Sequence, residues 1–429
     1  MKQIIGACFA LALINTPIFG QNSSPKIDEE YKSLETLARG LYYLETMYVA
    51  PEKVKRSTLT TNALKGIVTK LDPHTVLMPA KAFEQLTIDT KGKFGGVGII
   101  VSSEKNKLIV IQPIEETPAA TAGILPGDEI IKIDGKEVTK FKKGEATEAM
   151  RGSPGSTLTL TIKREGSPKH LEFELKREII QVKSVRSMPL AEKILYVRIA
   201  SFQDETADEL KAALDKHKPS KGLILDLRDN PGGLLDQAIY VSDLFISSGV
   251  IVSTVGRDSS DIEREFAHLR GTYKDFPIIV LINAGSASAS EIVAGAIQDH
   301  QRGIILGTTS FGKGSVQTLV SLPDGSGLKI TVARYYTPND RSIQAKGIIP
   351  DIMVDAKKHA SNDKTRKEQD LKGHISGDNL SDLGKNSGLF SASRDWPEYA
   401  KKDHQLLTAF TYLQGWGVLK NKEGKPTKP

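Results

Sequence analysis

With 429 residues, of which 39% are hydrophobic and 26% charged, the chain is long enough for two or three domains and lacks the compositional bias of a disordered or fibrous protein. Its net charge of +6 is spread along the sequence, which describes a solvated surface and argues against a nucleic-acid partner. The single cysteine, Cys8, excludes a disulfide framework.

In chain order, Lys2 precedes an apolar run over residues 4–14, followed by the small and polar stretch NTPIFGQNSS. The run is shorter than the ~20 residues of a membrane span, so residues 1–20 read as a secretory signal with a cut near Gly20. Export to the periplasm or cell envelope follows, and a signal left uncut would hold the chain at the membrane. Residues 27–90, as in LETLARGLYYLETMYV, repeat apolar positions at helical spacing and predict amphipathic helices that need a surface to cover, such as a second copy in a homodimer. Residues 91–178 change to strands and turns: GGVGIIV, KLIVIQPI, GILPGDEIIKIDGKEV and the strictly alternating TLTLTIKRE. Residues 179–355 alternate apolar strands (ILYVRI, GLILDL, IIVLIN, GIIL) with helical stretches, the pattern of a βα-layered domain. Residues 356–395 are polar and aperiodic, as in a linker, and residues 396–429 carry the amphipathic pattern HQLLTAFTYLQGW.

The chemistry concentrates at three strand ends. In LGTTSFGKGSVQ, Gly307, Gly312 and Lys313 fit the start of a phosphate-binding loop, but Gly314 stands where a magnesium-binding Ser or Thr is needed and the next residues alternate like a strand. No nucleotide is expected, and the lysine needs another use. After the strand PIIVLIN comes AGSASASEIVAGAIQDH, a small-residue turn entering a helix. Such a turn exposes a side chain where the helix N-terminus aims free amides, which suits a nucleophile and the oxyanion it creates. Ser286, Ser288 and Ser290 all qualify, and all three equally suit a helix cap. A serine needs a base. None of the eight histidines has a distinctive setting beside a glycine turn and no G-x-S-x-G elbow is present, which leaves Lys313, flanked by glycines, as the better base. It has to be neutral to act, and burial in a dry pocket supplies that. The third strand end, GLILDLRDNPGGLLDQA, brings Gly232 and Gly233, a backbone able to approach a ligand closely.

In this order, DLRDNPGG, NAGSASASEIVAGAIQD, SFGKGSVQT and RYYTPNDRSIQAKGIIPD resemble the carboxyl-terminal processing peptidases, also called tail-specific proteases, which are serine endopeptidases with a Ser-Lys dyad. The resemblance covers most of the chain, roughly residues 27–355. It implies that Ser288, the middle serine, is the nucleophile, Lys313 the base and Gln317 the residue that orients it. It also implies an oxyanion hole from the amide of Ala289 and one from the Gly232–Gly233 turn. The family usually has Glu at Thr308, Thr at Ser310 and Gly at Asp340, differences that touch loops and no catalytic group.

GGVGIIV followed by EETPAATAGILPGDEIIKIDGKEV resembles a PDZ domain, the family's usual partner module. In that reading the amides of Gly95, Gly96, Val97, Gly98 and Ile99 capture a peptide's terminal carboxylate while the peptide adds as a strand. Arg151, beside a glycine turn late in the module, is expected to relay binding to the protease.

The expected architecture is a mixed α/β and α+β multidomain chain. It has a ClpP/crotonase-like βα-layered protease core (179–355), an inserted PDZ domain (91–178), and helical N-terminal (27–90) and C-terminal (396–429) segments. The expected activity is cleavage of polypeptides with accessible C-terminal tails, with no metal, nucleotide or other cofactor. The alternatives are a catalytically silent peptide-binding scaffold, against which the three filled catalytic positions argue, and a crotonase-like acyl-CoA enzyme, against which the signal and the PDZ module argue.

Overall fold

The computed structural model describes residues 25–104, 107–142, 144–190, 193–258, 260–356 and 396–423. The expected signal over residues 1–20, with Cys8, the expected linker beyond residue 356 up to residue 395, and residues 424–429 lie outside them. Residues 1–77 and 78–429 are two compact units.

In the first unit, the helices Pro25–Met47 and Arg56–Val68 are joined by a short turn. Among its described residues only Val54 and Val68 are buried apolar side chains, whereas Tyr31, Leu34, Leu37, Tyr42, Leu44 and Met47 on the long helix stand exposed. The helical spacing legible in the sequence thus produces an apolar stripe that this unit does not itself cover.

In the second unit, the strands Ile99–Glu104, Lys107–Pro113, Glu129–Ile133, Thr157–Lys163 and Leu171–Lys176 form an antiparallel sheet in that order. Alternate residues of Thr157–Lys163, Leu158 and Leu160 among them, point into a core with Val110, Ile124, Ile130 and Met150. Lys93–Gly96 pairs antiparallel with Glu178–Gln181, joining both ends of this domain in a two-stranded neck.

A mostly parallel sheet runs Val185–Pro189, Ile194–Ile199, Gly222–Asp226, Ile278–Ile282, Ile304–Gly307, Ile352–Met353. The first pair is antiparallel and the rest parallel. Its two central strands are buried along their whole length, and both faces are covered. Leu223, Leu225, Ile278, Val280 and Ile282 face the helices Thr206–His217, Leu235–Asp243 and Ala289–Asp299. Their neighbours Ile224, Ile279 and Leu281 face Trp396, Phe410 and Leu413 of the C-terminal segment. That two-residue alternation makes the C-terminal helix His404–Glu423 part of the core. A second sheet pairs Gly327–Tyr336 with Ser315–Ser321 and with Val250–Val255.

A buried ion cluster ties the C-terminal segment to the sheet behind the site. Arg228 donates to Asp226 (2.9 and 2.6 Å), to Asp403 (2.9 and 2.6 Å) and to Gln405 (2.9 Å), and Asp226 also accepts from the Tyr196 phenol at 2.7 Å. Asp226 is fully buried. Arg228→Met is expected to cost about 3–5 kcal/mol because it leaves that carboxylate only the more distant Arg198, at 3.5 Å, as a cationic partner and frees Asp403. Urea unfolding measures the loss, and an unchanged midpoint would contradict it.

Candidate active site

Parallel strands end on one side of a sheet, and three of these ends supply the site. The turn after Ile278–Ile282 is knotted by side chains. Asn283 Oδ1 accepts from the amides of Gly285 and Asp229, both at 2.9 Å. The Ser286 hydroxyl donates to the Leu227 carbonyl at 2.7 Å, and that of Ser290 donates to the Asn230 carbonyl at 2.9 Å. Both serines are fully buried and spent on the scaffold, whereas Ser288 is partly exposed at the entrance of the helix Ala289–Asp299. Ser288 sits at φ 57°, ψ −115°. A non-glycine residue holds such a backbone only where its surroundings enforce it, and strain of this kind collects at functional turns. The glycine-flanked elbow sought in the sequence is absent, yet a strained elbow is present.

Glu291, one helical turn on, is the hub. Its fully buried carboxylate accepts from the amide of Ser288 (2.8 Å), the amides of Gly312 (2.7 Å) and Lys313 (2.9 Å), and the hydroxyl of Ser310 (2.6 Å). The backbones of Ser288 and Lys313 therefore share one oxygen, Oε2. Burial pushes the Glu291 carboxyl up, and the four donors pull it back. The sequence signal for it was a serine followed three residues later by glutamate, the pattern of a helix-capping box. Ser310 keeps the hydroxyl of the threonine the family usually has there, and also accepts from the Ile348 amide at 2.6 Å. Asp340 sits at φ 55°, the left-handed region that explains glycine as the usual residue.

Lys313 is half-buried, and burial with Lys329 nearby lowers its ammonium to about 8, Glu291 opposing. Among the described residues no hydrogen bond joins its amine to Ser288. The Ser288 hydroxyl instead lies near the phenol of Tyr335, which donates to the Lys313 carbonyl. Gln317 does not reach the amine: its side-chain amide donates to the Ser315 hydroxyl at 2.8 Å and carbonyl at 3.2 Å. Tyr335, on a distant strand, had no local signal.

Gly232 lies directly against the serine turn. A Cβ there would stand 2.8 Å from the Ala287 carbonyl and from Ser288 Cβ, and 3.0 Å from the Ala289 nitrogen. Its own amide, however, donates to Asn230 Oδ1 at 2.9 Å, so Gly233 supplies the available donor of this turn. Among the described residues neither the Gly233 nor the Ala289 amide meets a protein acceptor.

The expected carboxylate-capturing loop is shorter than the sequence indicated. Gly95 and Gly96 belong to the neck strand, opposite Ile179 and Glu178, and Ile99 starts the next strand, leaving Val97 and Gly98 between them. Gly95 is glycine because a Cβ would fall 2.0 Å from the Gly152 carbonyl. Arg151 stacks over the Phe94 ring at 4.5 Å and donates to Gln85 on the helix Ala80–Lys91.

The sequence pattern of peptidase family S41 matches residues 193–354, and that of a PDZ domain matches residues 95–175. A carboxy-terminal-processing protease of Bartonella bacilliformis is 45% identical over 395 residues, 90% of this chain and 89% of that one. The chain belongs to the carboxy-terminal processing proteases of family S41. The carboxy-terminal processing protease CtpB of Bacillus subtilis is 33% identical, over 76% of this chain and 68% of its own. A solved photosystem II D1 C-terminal processing protease aligns at 30% identity, with a TM-score of 0.45, over 76% of this chain and 86% of that one. This S41 serine protease thus carries its family's mixed α/β core and a PDZ domain. Glu291→Gln is expected to turn a donor toward two of the four groups it now accepts from, costing about 2–5 kcal/mol of stability. Thermal unfolding checks this, and full stability in the variant would refute it.

Proposed function

We propose that this protease is an exported endopeptidase that takes polypeptides by their C-terminal tails and cleaves them with Ser288 and Lys313. The observation that carries the dyad is the Glu291 carboxylate: it anchors the amides of both residues on one oxygen, beside a lysine whose burial favours the neutral amine. Neutral Lys313 accepts the Ser288 proton as the hydroxyl oxygen bonds to the scissile carbonyl carbon. The carbonyl oxygen becomes an oxyanion held by the amides of Ala289 and Gly233. Collapse of this intermediate breaks the C–N bond, the lysine returns its proton to the leaving amine, and an ester on Ser288 remains. Water, deprotonated by Lys313, hydrolyses that ester. The step requires the Ser288 hydroxyl to turn from Tyr335 to the amine, with Gln317 moving from Ser315 to orient the lysine.

The PDZ domain supplies tail recognition through the amides about Val97 and Gly98, with a peptide adding beside Ile99–Glu104. Arg151 is assigned the relay. It bonds Gln85 on the helix whose Phe83 lies where any Cβ on Gly327 would be, at the start of the strand bearing Tyr335. Export rests on residues 1–20, which would retain the chain at the membrane if uncut; no described helix is long and apolar enough to cross one. The uncovered stripe of Pro25–Met47 supports a homodimer.

With an unstructured protein as substrate, Ser288→Ala and Lys313→Ala are each expected to lose more than about 10³-fold in kcat/KM. Cleavage surviving in Ser288→Ala would reject the assignment. A base with an ammonium at about 8 is protonated and idle below that pH, so wild-type kcat/KM is expected to rise tenfold per pH unit up to about pH 8 and flatten above it. Peptide-stimulated activity is expected to fall in Arg151→Ala, and equal stimulation in that variant would remove the relay.

A further inference from the structure

The steps above leave the Tyr335 phenol without a task. Tyr335 is the penultimate residue of the strand Gly327–Tyr336, only 2% exposed, with its amide donating to the Gly314 carbonyl at 3.0 Å. Its hydroxyl meets both halves of the proposed dyad, donating to the Lys313 carbonyl and lying near the Ser288 hydroxyl. A phenol has one proton to give. With that proton on the carbonyl, the phenol offers the nearby Ser288 hydroxyl only lone pairs. Burial and the Glu291 carboxylate both disfavour the phenolate, so the group stays a hydroxyl throughout the working pH range.

We propose that Tyr335 is a positioning residue that fixes the rotamer of the Ser288 side chain and the backbone of Lys313 through one hydroxyl, setting the distance over which the proton must pass. The inference rests on the Ser288–Lys313 reading. As the Ser288 proton leaves for the lysine amine, negative charge grows on Oγ, and a rotation about the phenol C–O bond turns the O–H from the Lys313 carbonyl to that oxygen. No proton leaves the tyrosine. The interaction is weak in the ground state, where the phenol offers only lone pairs, and strong as charge develops, which is the difference that lowers a barrier.

Tyr335→Phe keeps the ring and removes the oxygen. On an unstructured protein substrate its kcat is expected to fall roughly 10–100-fold with KM within about twofold of wild type. The acid limb of its pH profile is expected to stay at the wild-type position, since the burial acting on Lys313 is untouched. An unchanged kcat, or a loss carried by KM, overturns the assignment. A limb displaced toward the ordinary lysine range overturns it as well, because the residue then serves only to keep the lysine loop packed. Should Tyr335→Phe not melt cooperatively, Tyr335→His keeps a ring donor and is expected within about tenfold of wild-type kcat at unchanged KM; a folded His variant as slow as Ser288→Ala overturns the proposal. Failure of the dyad itself would appear elsewhere, as activity retained in Ser288→Ala or Lys313→Ala.

Discussion

Among the described residues Glu291 makes no salt bridge and is fully buried, yet it joins two loops of the site through four hydrogen bonds. An isolated carboxylate in such a place would be expelled or protonated. Four donors, three of them backbone amides that cannot swing away, are what keep it acceptable there. The consequence runs both ways: the carboxylate stays only because the serine turn and the lysine loop enclose it, and the two loops meet only because it stands between them. A lysine held by its backbone in this way can keep its amine in a dry pocket without an ion-pair partner. That is the condition for a base whose charge is given up near neutrality rather than near 10.

The surrounding close approaches serve the same end. Gly285 lies against Asp229, Gly232 against Ser288, Gly312 against the backbone of Lys346 and Gly347, and Gly314 against Gln344. At each, a Cβ would come within about 3 Å of its neighbour, closer than side chains tolerate without displacement. Three turns from three strands can therefore stack within a few ångströms. Behind them, Arg228 locks the turn after Gly222–Asp226 to Asp403 and Gln405, so a segment far along the chain braces the site. The fold spends buried charge on rigidity at two points, with an arginine in one and backbone amides in the other.

Much of the layout was readable from local pattern. Strands such as GLILDL and IIVLI are apolar without interruption because both faces are buried, and the turns after them announce themselves by Gly, Ser and Asn. The serine turn, the lysine between glycines and the PDZ-like segment were all recognisable because each is a contiguous run of residues. The glycines of GGVGI were harder to read. Glycine marks either a loop that turns or a strand that another backbone touches, and Gly95 is of the second kind, its neighbour Gly152 lying far along the chain.

Sequence alone determined the secondary elements, the order of the modules and a short set of chemically able side chains, because propensity, periodicity and turn chemistry act over a few neighbouring residues. Local pattern left Ser286, Ser288 and Ser290 equal and resemblance alone chose the middle one; the tertiary structure gives the physical separation, by burying the other two hydroxyls on the carbonyls of Leu227 and Asn230. It alone brought Tyr335 and Glu291 beside the Ser288 and Lys313 loops, tied the Gly232 amide to Asn230 and left Gly233 as the free amide of that turn, and turned Gln317 toward Ser315. These are contacts between distant segments, set by which strand ends the sheet aligns, and no stretch of sequence carries that information by itself.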